Sequence, residues 1–207
     1  MHLTKEDIFN TSRIKRLNLI NSVTGIKPGN LIGSISKNGN SNLAIFSSVV
    51  HLGSNPALIG FISRPHERVR RDTLENILET KYYTINHIHS DFIKQAHQTS
   101  GKYDKDESEF ETCHLTETYL YNFSAPFLKE SKIKFGLKLE EVVSIESNNT
   151  KLIIGSIQHI YIDDLALDKN GDINLECVKD IGIGGLNNYY SLKKIAHHPY
   201  FRVKNQK

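Results

Sequence analysis

The chain has no apolar run approaching the roughly 18 residues a membrane-crossing helix needs, so no transmembrane segment is expected. Its first residues, Met1-His2-Leu3-Thr4-Lys5-Glu6-Asp7, mix charges and lack the apolar stretch of an export signal. A cytoplasmic location and no membrane partner are the expectation. Cysteine is scarce. Cys113 and Cys177 stand far apart, which excludes CxxC chemistry and reads as two reduced thiols. Charge of one sign is not in excess either: the formal net charge of +3 is too mild to demand a nucleic-acid partner, and none is expected. Internal repeats and low-complexity linkers are absent. The 207 residues are read as one domain, 1–207, with a core over about 18–165 and a C-terminal extension over about 166–207.

Several catalytic signatures are missing too. No GxGxxG follows a strand, so a dinucleotide would not sit on a Rossmann unit. No G-x-S-x-G elbow and no convincing triad is visible. Gly182-Ile183-Gly184-Gly185 is Gly-rich but precedes no helical pattern, and it reads as a loop. Asp168 to Asn174 resembles the opening of a calcium loop. Ile173 and Lys179 occupy the positions where such a loop needs Gly and Glu, so a hairpin turn at Asn170-Gly171 is expected instead. His87 and His89 share a strand parity, but no third ligand is placed by sequence, and no metal is expected.

What is present is mostly β pattern. Ile133, Phe135, Leu137 and Leu139 alternate with Lys132, Lys134, Lys138 and Glu140, the period of a strand with one buried face. Strands are also expected over 30–36, 41–52, 57–63, 82–87 and 151–163. Asn38-Gly39 marks the first hairpin and Ser147-Asn148-Asn149 a later turn. Helices are expected over 4–10 with Thr4 as cap, over 72–80 with Asp72 as cap and Glu75 in capping-box position, and over 90–98. Residues 101–111 are polar and read as a surface loop. Many antiparallel strands with few helices predict a mainly β fold, a barrel rather than a doubly wound sheet.

Two segments carry chemistry. Arg64, Arg68, Arg70 and Arg71 fall within eight residues where a strand gives way to a helix start, and Thr73 adds a hydroxyl in the first turn. Charge-assisted hydrogen bonds of about 1.5–3 kcal/mol each suit a phosphate dianion. The same cluster also fits a solvated basic loop or an RNA contact. Ser47 and Ser48 interrupt the apolar strand Leu43-Ala44-Ile45-Phe46 before Val49 and Val50. Hydroxyls amid apolar side chains can line a ring system and bond its polar edge, although on residue types alone a pair of small residues at a strand bend is the better explanation.

In order, Asn42-Leu43-Ala44-Ile45-Phe46-Ser47-Ser48, Ser54-Asn55-Pro56-Ala57-Leu58-Ile59-Gly60-Phe61 and Arg70-Arg71-Asp72-Thr73-Leu74-Glu75-Asn76-Ile77 resemble the flavin reductase-like, FMN-binding split-barrel family. So do Ala96-His97-Gln98-Thr99-Ser100, Ser108 to Glu111, and Gly185 to Tyr190, together covering roughly Asn18 to Arg202. The resemblance implies a six-stranded Greek-key split barrel that binds FMN, and a homodimer with the flavin near the subunit interface. It matches Ser47, Ser48 and Val49 to the ring and ribityl contacts. Arg64, Arg71 and Thr73 match the phosphate stretch, which Arg70 also adjoins. His97 and Ser100 match a loop flanking the flavin. The family's double proline is here Asn55-Pro56-Ala57, and His51-Leu52-Gly53 also departs from its common versions. The function implied is NAD(P)H-dependent flavin reduction. NAD(P)H is the expected small-molecule donor, with hydride passing directly to the flavin and no protein nucleophile required. Tyr189 and Tyr190 are candidates to cover the flavin face, or else pack in the core or a dimer contact. Three alternatives stay open: an FMN electron carrier without nicotinamide activity, a nucleotide- or nucleic-acid-binding barrel, and a barrel for another phosphate cofactor such as pyridoxal phosphate.

Overall fold

The computed structural model describes residues 1–65 and 70–202. The chain opens with two helices, α1 (Lys5–Asn10) and α2 (Arg13–Ser22), neither of which buries a residue. Thr4 caps α1 as expected: its hydroxyl accepts the Asp7 N–H while the Asp7 carboxylate takes the Thr4 N–H. Then follow β1 (Ile26–Pro28), β2 (Asn30–Ile35), β3 (Ser41–Phe46), β4 (Val50–Ser54) and β5 (Ala57–Ser63). Helix α3 (Asp72–Thr80) and strand β6 (Tyr82–His87) come next, both with the bounds their patterns predict. The helix expected over 90–98 divides into a 3₁₀ turn, Ser90–Phe92, and α4 (Ile93–Gln98). The polar stretch after it closes on a short helix, α5 (Glu109–Thr112). Strands β7 (Glu117–Thr118), β8 (Phe127–Leu128), β9 (Ile133–Ile145), β10 (Thr150–Ile162), β11 (Ile181–Gly184) and β12 (Asn188–Ser191) complete the chain.

Seven strands form one antiparallel sheet in the order β3-β2-β6-β9-β10-β5-β4. Its two edge strands, β3 and β4, are joined by only residues 47–49. Four virtual Cα bonds reach about 15 Å at most. Six strand spacings in a flat sheet would separate the edges by about 29 Å. The sheet is therefore curled until its edges meet, which makes it a barrel with a seam at residues 47–49. This corrects the expectation of one strand over 41–52: the segment bends and crosses from one edge to the other. Counted as a single bent strand, β3 and β4 reduce the seven to the six of the implied Greek-key split barrel.

Strand alternation sorts the apolar residues into two cores. Ile32, Phe61, Leu74, Ile77, Tyr83, Ile85, Leu137 and Ile153 fill the barrel and the underside of α3. Leu31, Leu43, Ile88, Phe92, Phe110, Ile181 and Ile183 form an outer core between the barrel wall and α4, α5 and β11. Adjacent residues Leu31 and Ile32 serve opposite cores, so β2 is buried on both faces. Each such side chain contributes about 1.5–3 kcal/mol on burial.

Two further expectations change. Gly182 to Gly185 is not a loop. It forms β11 and the turn after it, paired with β1 and β12. Gly182 and Gly184 are needed because a Cβ at either would collide with the side chains of Ile26 and Tyr190. Asp72 does not cap α3; Arg71 stands at that position with no side-chain cap, and Asp72 instead pairs with Arg70. The turn at Asn170-Gly171 forms as expected, with Gly171 at φ 88° and the Asp168 N–H donating to the Asp172 carbonyl. Among the described residues, no helix is long and apolar enough to cross a membrane.

Candidate functional site

The barrel seam carries the serine pair. Ser48 Oγ donates to the Ile62 carbonyl at 3.2 Å and accepts the Ile62 N–H at 3.1 Å. Strand β4 runs out opposite Gly60, so both backbone groups of Ile62 would otherwise face an open edge. Ser48 thus closes the barrel and spends most of its hydrogen-bonding capacity there. Ser47 is half-buried, and its hydroxyl makes no hydrogen bond among the described residues. Val49 packs on the inner core beside Phe46, whose ring meets Phe61 edge-on at 5.0 Å.

Ile62 lies two residues before Arg64, so the serine seam and the arginine segment are adjacent within one protomer. Arg64 is exposed and Arg71 half-buried. The Arg71 guanidinium donates from Nε to the Pro65 carbonyl at 3.3 Å. Burial, and then the nearby Arg64 charge, hold the Arg71 guanidinium below its usual range. The same two causes depress the Lys27 ammonium. Burial is thus the larger cause at both groups, and Arg64 adds its charge to each; three cations so placed gain from a bound anion. Arg68 lies outside the described residues.

Lys27 had no signal in the sequence. It is a single lysine in a three-residue strand, and only the fold brings it to Arg64. Its ammonium donates to the carbonyls of Asn21 and Gly185, each at 2.9 Å. Gly185 takes the left-handed conformation, φ 65°, that turns β11 into β12 and presents that carbonyl.

Arg70 and Thr73 are placed differently from their neighbours. Arg70 Nε pairs with Asp72 at 2.6 Å, and its Nη2 donates to the Tyr103 carbonyl at 3.4 Å. Thr73 is buried, and its Oγ1 accepts from the Asn42 amide at 3.0 Å. Asn42 and Asn76 both donate to Ser34, so this polar cluster ties α3 to β2 and β3.

His97 and Tyr189, 92 residues apart, meet at 2.7 Å between Nδ1 and the phenol oxygen. Their rings cross edge-on with centroids 5.7 Å apart. Tyr189 packs on the outer core, as does Ile45, two residues before Ser47. Tyr190 stays half-exposed over Gly184. Ser100 is exposed and donates to the His97 carbonyl at 2.7 Å. A rim therefore runs from Arg71 through Arg64 and Lys27 to the Gly185 turn, Tyr189 and His97, with Ser47 beside it. His87 and His89 serve the scaffold: His87 bonds to Asp180 at 2.8 Å and His89 to the Glu130 carbonyl at 2.8 Å. A separate open cleft of about 600 Å³ lies at the far end of β3, lined by Ser41, Ser108, Phe110, His114 and Glu117. Its Glu111 and Glu117 carboxylates would oppose an anion there.

Comparison with known proteins agrees with this fold. The chain is 30% identical to a protein of Aquifex aeolicus (strain VF5) over 162 residues, 77% of this chain and 81% of that one. A candidate flavin reductase with a split barrel domain from Shewanella frigidimarina NCIMB 400 superposes with a TM-score of 0.93 at 47% identity, covering 97% of this chain and 100% of the other. Component B of nitrilotriacetate monooxygenase from Bacillus cereus shares the fold at TM-score 0.84 and 22% identity, over 96% and 98% of the two chains. The flavin reductase like domain model matches residues 27–174. The chain belongs to the flavin reductase like domain family.

Proposed function

We propose that the protein binds FMN along this rim and serves NAD(P)H-linked flavin reduction. The carrying observation is the cation cluster of Arg71, Arg64 and Lys27 beside the half-buried hydroxyl of Ser47. A dianionic phosphate relieves the repulsion among the cations and takes charge-assisted hydrogen bonds from them. Apolar contact from Val49 and hydroxyl or imidazole donors from Ser47 and His97 suit a flat ring with a polar edge. Arg70 contributes less, because Asp72 already holds it. Thr73 acts through Asn42 by fixing the start of α3 against the barrel.

Bound FMN supplies the acceptor for a hydride from a reduced nicotinamide. The protein's own part is to fix the phosphate, orient the ring and leave one ring face reachable. The rim is a surface feature of one protomer, and large apolar side chains stand exposed elsewhere on it: Ile14, Leu17, Ile20 and Val23 on and after α2, whose Asn21 carbonyl receives Lys27, and Ile195, Tyr200 and Phe201 near the C-terminus. A second copy of the chain would cover such apolar side chains, which supports a homodimer.

Titrating FMN against the purified protein, followed by anaerobic addition of NADH or NADPH, tests this reading. Quenched flavin fluorescence and then loss of the visible flavin absorbance support it. Binding without bleaching, but with reduction by an iron–sulfur donor, selects an electron carrier instead. Failure to bind FMN refutes the proposal.

A further inference from the structure

The hydrogen bond between Tyr189 and His97 carries a consequence for the tautomer of that histidine, and it rests on the function proposed above. A neutral imidazole has one nitrogen that donates and one that accepts, and its partners decide which. Tyr189 Oη lies 2.7 Å from His97 Nδ1 and has no other partner among the described residues. Burial holds the phenol of Tyr189 above its usual range, so it keeps its proton at neutral pH. That proton needs an acceptor, and among the described residues His97 Nδ1 is the one within reach. Nδ1 must then be bare, which places the imidazole proton on Nε2. His97 is half-buried, and Nε2 is neither sealed from solvent nor bonded to any described residue. The pair stands on the rim. Tyr189 belongs to the hairpin whose Gly185 carbonyl receives Lys27, and it packs on the same outer core as Ile45, two residues before Ser47.

We propose that Tyr189 is a positioning residue that locks His97 in its Nε2–H tautomer, presenting a fixed neutral donor to the acceptor edge of the flavin ring. Neither residue need change its protonation state. The phenol aims the imidazole, and the imidazole supplies one oriented N–H.

Long-range proton–nitrogen correlation spectra of the ¹⁵N-labelled, flavin-free protein at neutral pH read the tautomer directly, with His97→Gln identifying the His97 signals. The wild type should show His97 Nδ1 bare and Nε2 protonated. In Tyr189→Phe the two nitrogen signals should converge as both tautomers become populated. A wild-type Nδ1–H, or signals unchanged by Tyr189→Phe, overturns the inference. Should the variant fail to fold, the wild-type spectrum alone decides. Addition of FMN should then shift the Nε2 signal. Tyr189→Phe should weaken FMN and riboflavin alike, by about two- to tenfold, the value of one neutral hydrogen bond. Absence of any FMN binding defeats the proposed function while leaving the tautomer result standing. FMN binding that leaves the His97 nitrogens unmoved defeats this inference alone.

Discussion

Arg71→Ala removes a half-buried guanidinium from the cation cluster, whereas Arg70→Ala, one residue away, removes a guanidinium already paired with Asp72 at 2.6 Å. A charge-assisted hydrogen bond to phosphate is worth about 1.5–3 kcal/mol. At about 1.4 kcal/mol per decade, that is roughly a 10- to 100-fold rise in Kd. Solvent around the half-exposed rim screens the charge and favours the lower end, so about tenfold is expected for Arg71→Ala. Arg70→Ala should change FMN affinity by less than about twofold, since the lost surface pair is worth about 0–1 kcal/mol and to stability only. Fluorescence titration with FMN and with riboflavin separates phosphate from ring contacts. Riboflavin lacks the phosphate, so Arg71→Ala should leave its affinity unchanged. Added salt should weaken FMN and spare riboflavin. Equal losses for the two arginine variants, or an equal loss for the two ligands, would refute the placement of the phosphate at Arg71.

Ser48→Ala strips the seam of the hydroxyl that serves both backbone groups of Ile62. It should cost about 1–3 kcal/mol in a denaturant melt, while Ser47→Ala stays within about 0.5 kcal/mol; equal melts would sink the seam reading. Glu109 is buried with its carboxylate accepting the Leu43 N–H at 3.0 Å, and burial holds its carboxyl above the usual range. The fold therefore favours the protonated form. That stabilising contribution is full below the unfolded value of about 4.3 and lost as pH rises through the folded one. Glu109→Gln should thus gain in Tm over wild type as pH rises above the unfolded value of about 4.3 and through the raised folded one, and a pH-independent difference would contradict it. Cys177 is exposed while Cys113 is buried with its thiol pushed up, so iodoacetamide should label Cys177 first and reach Cys113 only on unfolding. Peptide mass mapping over time reads the order.

The amino-acid sequence alone determined the elements whose cause is local. The alternation from Ile133 to Leu139, the turn residues Asn38-Gly39 and Asn170-Gly171, the Thr4 capping box, and the bounds of α3 and β6 all follow from the period of a strand or helix and from turn chemistry. The order of the segments around Ser47, Arg71, His97 and Tyr189 also sufficed to indicate the family. Tertiary structure decided the rest. The protomer's core does not select α2, whose Ile14, Leu17 and Ile20 stay exposed, and no periodicity shows that residues 47–49 join opposite edges of one sheet. Four neighbouring arginines look alike until the fold hands Arg70 to Asp72 and sets Arg71 with Arg64 and Lys27. His97 meets Tyr189 across 92 residues of chain. Local propensity acts over a few residues, whereas the partner of a side chain is chosen by how the barrel closes, and that choice brought separate segments together into one candidate site.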